Sequence, residues 1–395
     1  MDSTSPPTYA DLPADLQLLA ACCDTPVSSE GKAKLERLVA GVSNWRLINQ
    51  SAARQQVQGF IHDRIGAMEA VPSGIRQNWL NEVRRAAQLN LRQAQATVNL
   101  HQKLGASGVP NLILKGIPLS AQLYQSLTIK RSGDIDILVA PEHAWKAARL
   151  LGESGYFPIE TRRPLSEKQT ASIVRHFKEI TLINDANIIV DLHWRMIENR
   201  GILAGIDAFA NAGRVEIGNL GHTSVLGDGD AFAYLCAHGA LSDWSRLKWL
   251  ADVNALLEGR SDSEIEALYA HARSMGAGPC ALQALGLREL FWEKPLPSSC
   301  RQELETIDEP DFLGYPLERM LQPYRPASSR ETVRRITRQT KVRSALYGSN
   351  FNAFTEKSSH LRALPDILAL PLPAWLDWLY VPLRPIFWLM RKVRS

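Results

Sequence analysis

Lys130–Val139, KRSGDIDILV, decides how this chain is read. It sets Asp134 and Asp136 two apart within an apolar run. Side chains alternate sides along a strand, so both carboxylates are expected on one face, with Ile135 and Ile137 on the other. Two like charges side by side repel, and a divalent cation between them relieves the cost. The pair therefore reads as a metal site, with Mg²⁺ the expected ion. A salt bridge from Arg131 would relieve the same repulsion without a metal.

Two further pieces complete the constellation. Upstream, Asn111–Lys115 (NLILK) reads as a short strand. Gly116 follows, and Ile117-Pro118 opens a helix, since proline suits a first helical turn. Glycine lets a ligand approach the backbone, and a helix start offers free N–H groups to phosphate oxygens. Downstream, two strands, Phe177–Ile183 and Ile188–Trp194, flank the turn-forming Asn184-Asp185-Ala186-Asn187. Asp191, in VDLHW, shares a face with His193 and opposes Val190 and Leu192. If its strand neighbours that of Asp134 and Asp136, three carboxylates surround one or two ions. In-line phosphoryl or nucleotidyl transfer needs that arrangement, with cations to hold a triphosphate.

Around this core the pattern is helical. Residues 14–104 read as a helical bundle ending in a long helix from about Ile75 to Leu104. Asp230–Glu258 reads as one helix, on which His238 and Asp252, fourteen apart, share a face. Further helices are expected over Ser261–Met275, Pro279–Phe291 and, strongly basic, Ser328–Leu346. Pro295–Pro326, with six prolines, is expected to be loop-rich, and 347–363 polar and irregular. The expected class is α+β: a small mixed sheet with flanking helices, embedded between N- and C-terminal helical regions. The expected division is a helical region at 1–105, a catalytic core at 106–200, a helical region at 201–326 and a basic, Trp-rich segment at 327–395.

Composition narrows the class. The chain has 395 residues, of which 45% are hydrophobic and 22% charged, as in ordinary globular proteins. Its net charge is +4. From Arg325 onward thirteen Lys/Arg face four Asp/Glu, a local +9 that leaves −5 for the remainder. Such an end suits an acidic partner. The five cysteines are scattered with no zinc spacing, which fits reduced thiols and a cytoplasmic protein. No GxSxG, Walker or Rossmann fingerprint occurs. The last stretch, WLDWLYVPLRPIFWLMRKVRS, mixes Trp375, Trp378 and Trp388 with Arg384, Arg391, Lys392 and Arg394. It suits peripheral contact at the inner face of a membrane. The favoured expectation, however, folds it back with its tryptophans filling a groove.

LKG, RxxDIDIL, VDLHW and HGxxxxWxRLxWLxD together resemble a bacterial family of nucleotidyltransferases in the polymerase-β-like superfamily, over residues 15–260. The resemblance implies that Asp134 and Asp136 hold Mg²⁺ or Mn²⁺. It also implies that Asp191 completes the site and helps deprotonate an acceptor hydroxyl, and that Gly116 shapes the phosphate turn. Lys115 and Arg131 become candidate triphosphate contacts. The implied activity moves a nucleoside monophosphate, AMP foremost, from a nucleoside triphosphate to a small-molecule, glycan or peptide acceptor. Nucleic acid is not the expected partner. The sequence departs from the pattern in two places. Ile117 replaces the hydroxyl residue that often follows the turn glycine, and Ser242 stands where many relatives carry a second histidine four positions after His238. The competing readings are an inactive scaffold that keeps the shape and, behind it, a metal-dependent nuclease.

Overall fold

The computed structural model describes residues 7–25, 29–321, 329–347, 362–385 and 387. A seven-stranded mixed sheet lies at its centre. The strands are β1 (Asn111–Ile113), β2 (Ile135–Val139), β3 (Phe157–Pro158), β4 (Glu179–Ile183), β5 (Ile189–His193), β6 (Gly213–Glu216) and β7 (His222–Val225). Their order is β3-β4-β5-β2-β1-β7-β6. The expected hairpin joins β4 and β5, with Asn187 in the left-handed region (φ 57°) and Asn184 Oδ1 accepting from Ile188 N at 2.8 Å. β2 pairs with β5 in parallel, and Asp136 falls opposite Asp191.

Strand alternation splits the sheet into two faces. Ile135, Ile137 and Val139 pack with Ile113, Val190 and Leu192 against Ala147 and Leu151 of the helix Ala144–Glu153 and the end of the long helix Ser73–Ala106. Leu112 and Leu138, on the other face, join a larger core. It runs without a break from Leu16 and Phe60 of the N-terminal helices to Phe232, Leu250 and Phe291 beyond the sheet. The carboxylate Asp136 sits on this second face, between sheet and helices.

The structure agrees with the α+β expectation and with most helices, and it differs in four places. β3, β6 and β7 carry no apolar alternation a sequence reading would find. β3 has two residues, one a proline, and the β6–β7 hairpin is half polar, so these strands extend the sheet through residue 225. Pro295–Pro326 holds two helices, Ser298–Glu305 and Gly314–Leu321. Asp134 precedes β2 rather than lying in it.

The fourth difference concerns Asp230–Glu258. It is two helices, Asp228–Leu241 and Leu247–Leu256, broken where Asp243 (φ 56°) and Trp244 (φ 46°) turn left-handed. Trp244 is fully buried, lies over Gly239, where any Cβ would meet its ring, and donates Nε1–H to Gln283 Oε1 at 2.9 Å. His238 and Asp252 thus belong to different helices and share no helical face. The basic helix forms over Ser329–Tyr347, and Arg338 in it pairs with Asp311 and Glu318. Residues 348–361 of the expected irregular stretch lie outside the described residues, as do Trp388, Arg391, Lys392 and Arg394. All five cysteines are free and buried. Among the described residues, no helix is long and apolar enough to cross a membrane.

Candidate active site

Each side chain of the site is placed by strand register. Asp136 is central on β2, and its partner Asp191 projects from the same face of β5. His193 follows two positions later. β4 then sets Thr181 opposite Asp191 and Glu179 opposite His193. One oxygen each from Asp136 and Asp191 and one nitrogen of His193 lie within 4.8 Å of one another. Two acidic oxygens and an imidazole nitrogen at that spacing are a chemically suitable donor set for a divalent ion.

A glycine turn borders this cluster. Gly116 has φ 82°, a conformation that disfavours any side chain, and caps the helix Ile117–Tyr124. A Cβ there would come 3.1 Å from Ser132 Oγ and 3.6 Å from the Asp134 carbonyl, so the turn and the Asp134 loop touch. Lys115, just before the glycine, bonds Asp136 and lies 3.6 Å from Asp134 Oδ1. Its ammonium therefore takes the charge-neutralising role that the sequence offered to Arg131. Arg131 itself is exposed and lines a groove with Gln56, Glu82 and Arg85. Among the described residues, no ion pair joins it to Asp134 or Asp136. Asp134 stands outside the Asp136–Asp191–His193 trio, on the more exposed side of Lys115.

The electrostatics follow from burying these charges together. Burial disfavours the Asp136 carboxylate, but Lys115 and His193 outweigh it and hold its pKa well below the usual range. The His193 ring spans two acids, with Nε2 3.1 Å from Asp136 and Nδ1 3.0 Å from Glu179. Burial works against its charge, yet the two acids raise its pKa to about 9. Glu179, also paired with Lys178, is half-buried, and although desolvation raises its pKa, His193 and Lys178 lower it to about 2. Asp191 differs. Among the described residues it accepts only from Thr181 Oγ1 at 2.6 Å, and burial with Glu179 and Asp136 nearby raises its pKa to about 6.

Helices from both sides close over the site. The loop leading to Asp134 is held by Asn90 of the long helix, which donates to the Leu127 and Lys130 carbonyls at 2.7 Å each and accepts from Ser132 N at 3.0 Å. Lys130 runs inward to Asp252, with Nζ 2.6 Å from Oδ2, and Tyr124 donates to the same carboxylate at 2.9 Å. Asp252 is thus a structural counter-ion. His238 is half-buried between Tyr234 and Trp249, and desolvation together with Lys115 lowers its pKa to about 3, leaving a neutral ring. Lys248 has no hydrogen bond or ion pair among the described residues, and burial and Lys130 lower its pKa to about 8.

Glu179, Thr181 and Lys248 escaped the sequence reading. The first two left a signal, since Glu179-Ile180-Thr181-Leu182 alternates polar with apolar opposite the strand of Asp191 and His193. Lys248 left none, because its nearness to Lys130 joins positions far apart in the chain. No curated protein matches the chain significantly. A family model does match residues 42–293, more than half of the chain, and spans the long helix, the sheet, the carboxylate cluster and the helices that cover it. With a glycine turn, paired acids on adjacent strands and basic residues around them, the chain belongs to the uncharacterised nucleotidyltransferase family.

Proposed function

We propose that the protein transfers a nucleoside monophosphate, AMP foremost, from a nucleoside triphosphate to an acceptor hydroxyl, using Mg²⁺ or Mn²⁺. The acceptor oxygen bonds to the α-phosphorus, the bond from that phosphorus to the bridging oxygen breaks, and pyrophosphate leaves. The observation that carries this reading is the register pairing of Asp136 with Asp191 beside the Gly116 turn. Asp136 and Asp191, with Asp134 at the open edge, are the residues to hold the ion. The ion supplies charge stabilisation on the phosphates. Asp191 also takes the acceptor's proton. Gly116 leaves room for phosphate oxygens at a helix start, and Lys115, beside Asp136, would supply those oxygens with a positive charge. Lys248 and Arg131 are further triphosphate contacts. The acceptor is a small molecule, a glycan or a peptide.

A second reading has its own support. Lys115 and His193 already neutralise Asp136 without any metal, and Ile117 stands where a hydroxyl would contact phosphate. On this reading the protein is a catalytically inactive binding or scaffold protein that keeps the nucleotidyltransferase shape.

Two measurements separate the readings. ATP should raise the melting temperature only with Mg²⁺ or Mn²⁺ present, and Asp136→Asn should abolish that rise without unfolding the chain. α-Labelled ATP incubated with cell extract should yield a labelled adduct and pyrophosphate. Metal-independent stabilisation with no adduct for any of the four nucleotides would favour the scaffold, and release of nucleotides from nucleic acid would point to a nuclease.

A further inference from the structure

The described part of the C-terminal segment folds back on the body through Ile367, Tyr380 and Phe387, but Trp375 and Trp378 do not fill the groove expected of them. Residues Ala374–Leu379 form one short 3₁₀ turn, held to the body by its own polar groups. Asp377 accepts from Arg175 at 3.0 and 3.1 Å and lies 3.1 Å from His176 Nε2. Tyr380 is buried. Its hydroxyl donates to the Leu370 carbonyl at 2.8 Å and accepts from Leu372 N at 2.9 Å. The turn is thus fixed, yet Trp375 is 74% exposed and Trp378 64% exposed. Leu370 and Val381, each 44% exposed, flank them. Two rigidly presented indoles in water mark an interaction surface rather than a random exposed residue.

Charge beside this turn identifies the partner. Asp377 forms one wall of an open cavity of about 590 Å³ that Arg175, Arg195, Arg200 and Arg362 also line. Four guanidiniums face one carboxylate there, with Glu198 near Arg195 as the other acid. Arg175 is satisfied by Asp377, Arg195 donates one Nη to the Val174 carbonyl at 3.0 Å and Arg200 one to the Arg175 carbonyl at 2.7 Å, but Arg195 Nε and Arg362 Nε have no hydrogen-bond partner among the described residues. Buried donors without acceptors are costly, and an entering anion would satisfy them. After Asp377 the sequence carries Arg384, Arg391, Lys392 and Arg394 and no acidic residue.

We propose that the Trp375–Trp378 turn and the arginine-lined cavity behind it dock on an anionic phospholipid surface, the indoles entering the interface and a headgroup phosphate entering the cavity. Indoles favour the boundary between headgroups and acyl chains, while guanidiniums bind phosphate in forked pairs. An acidic protein would need an apolar pocket matched to both indoles beside its carboxylates, whereas an anionic lipid surface supplies the apolar phase and the phosphates together. Docking there does not involve the carboxylate cluster and stands apart from the proposed reaction.

The test is flotation of the full chain with vesicles of phosphatidylcholine alone or mixed with phosphatidylglycerol. The chain should float with the mixed vesicles, less so as salt rises, and stay behind with phosphatidylcholine alone. Trp375→Ser with Trp378→Ser should lower binding roughly ten-fold or more, since both rings then lose their apolar burial. Both rings are exposed, so an unchanged melting temperature checks that the fold survives. Arg362→Gln should weaken binding and flatten its salt dependence, and Asp136→Asn should float as the unaltered chain does. Equal flotation with both vesicle types, none with either, or an unaffected tryptophan double variant would overturn the proposal. So would complete displacement by millimolar inorganic phosphate, which would make the cavity a free-anion site, or loss of flotation through self-association on the same rings.

Discussion

At the residue scale, the site is a balance of buried charges that only its neighbours make tolerable. Asp136→Asn keeps shape and removes one charge. If the metal-dependent reaction is correct, initial-rate assays should show activity falling about 10³-fold, reflecting several kcal/mol of lost charge stabilisation. Lys248 offers a test that needs no substrate. Its folded-state pKa is about 8, against an ordinary value of about 10.4. Between those values the unfolded chain binds the proton that the folded chain has released. This group's contribution to stability therefore rises with pH across that window and is at its least favourable below about pH 8. Lys248→Met should stabilise the protein near neutral pH by up to about 3 kcal/mol, and the gain should shrink toward pH 10.5. Urea melts at several pH values would show it, and a pH-independent difference would count against the buried, unpaired amine.

At the element scale, the loop 125–134 hangs between a helix and the sheet. Asn90 satisfies three of its backbone groups, and Gly59 lies so close to the Ile129 carbonyl that a Cβ there would collide with it. Asn90→Ala should cost on the order of 3 kcal/mol, because three buried polar groups lose their partner together. Thermal melting would reveal that loss, and a change under about 0.5 kcal/mol would mean that water replaces Asn90 easily. The break at Trp244 illustrates why helix counts fail from periodicity alone. Apolar residues recur from Leu235 to Leu257 with no break in the sequence to mark the turn, which exists because Trp244 finds its cavity over Gly239 and its partner in Gln283.

At the scale of the whole molecule, one continuous apolar core links the N-terminal helices, the inner face of the sheet and the later helices. Such sharing should make the body unfold in a single cooperative transition, with coincident circular dichroism and fluorescence curves. The Lys130–Asp252 pair stitches the site loop to the covering helix inside that core, both side chains at 7% exposure or less. Asp252→Ala should cost about 3–5 kcal/mol by stranding the lysine, whereas Lys130→Met with Asp252→Leu should recover most of it. Calorimetry of the three variants tests the pair as a unit, and additive losses would show that it is not one.

The sequence alone determined the local chemistry. Asp136 and Asp191 stand in strands of alternating pattern, Gly116 precedes a proline-started helix, and Asn184–Asn187 turns a hairpin. Each depends on neighbours within a few positions, where period and turn preference act. Only the tertiary structure decided which strands adjoin, and with them that Lys115 rather than Arg131 neutralises Asp136, that Glu179 and Thr181 belong to the cluster, and that Asp252 serves Lys130. It also decided that Trp375 and Trp378 face outward. Pairings of this kind join residues far apart in the chain. Packing and the cost of burying an unpaired charge select them, and neither quantity has a value until the whole chain has folded.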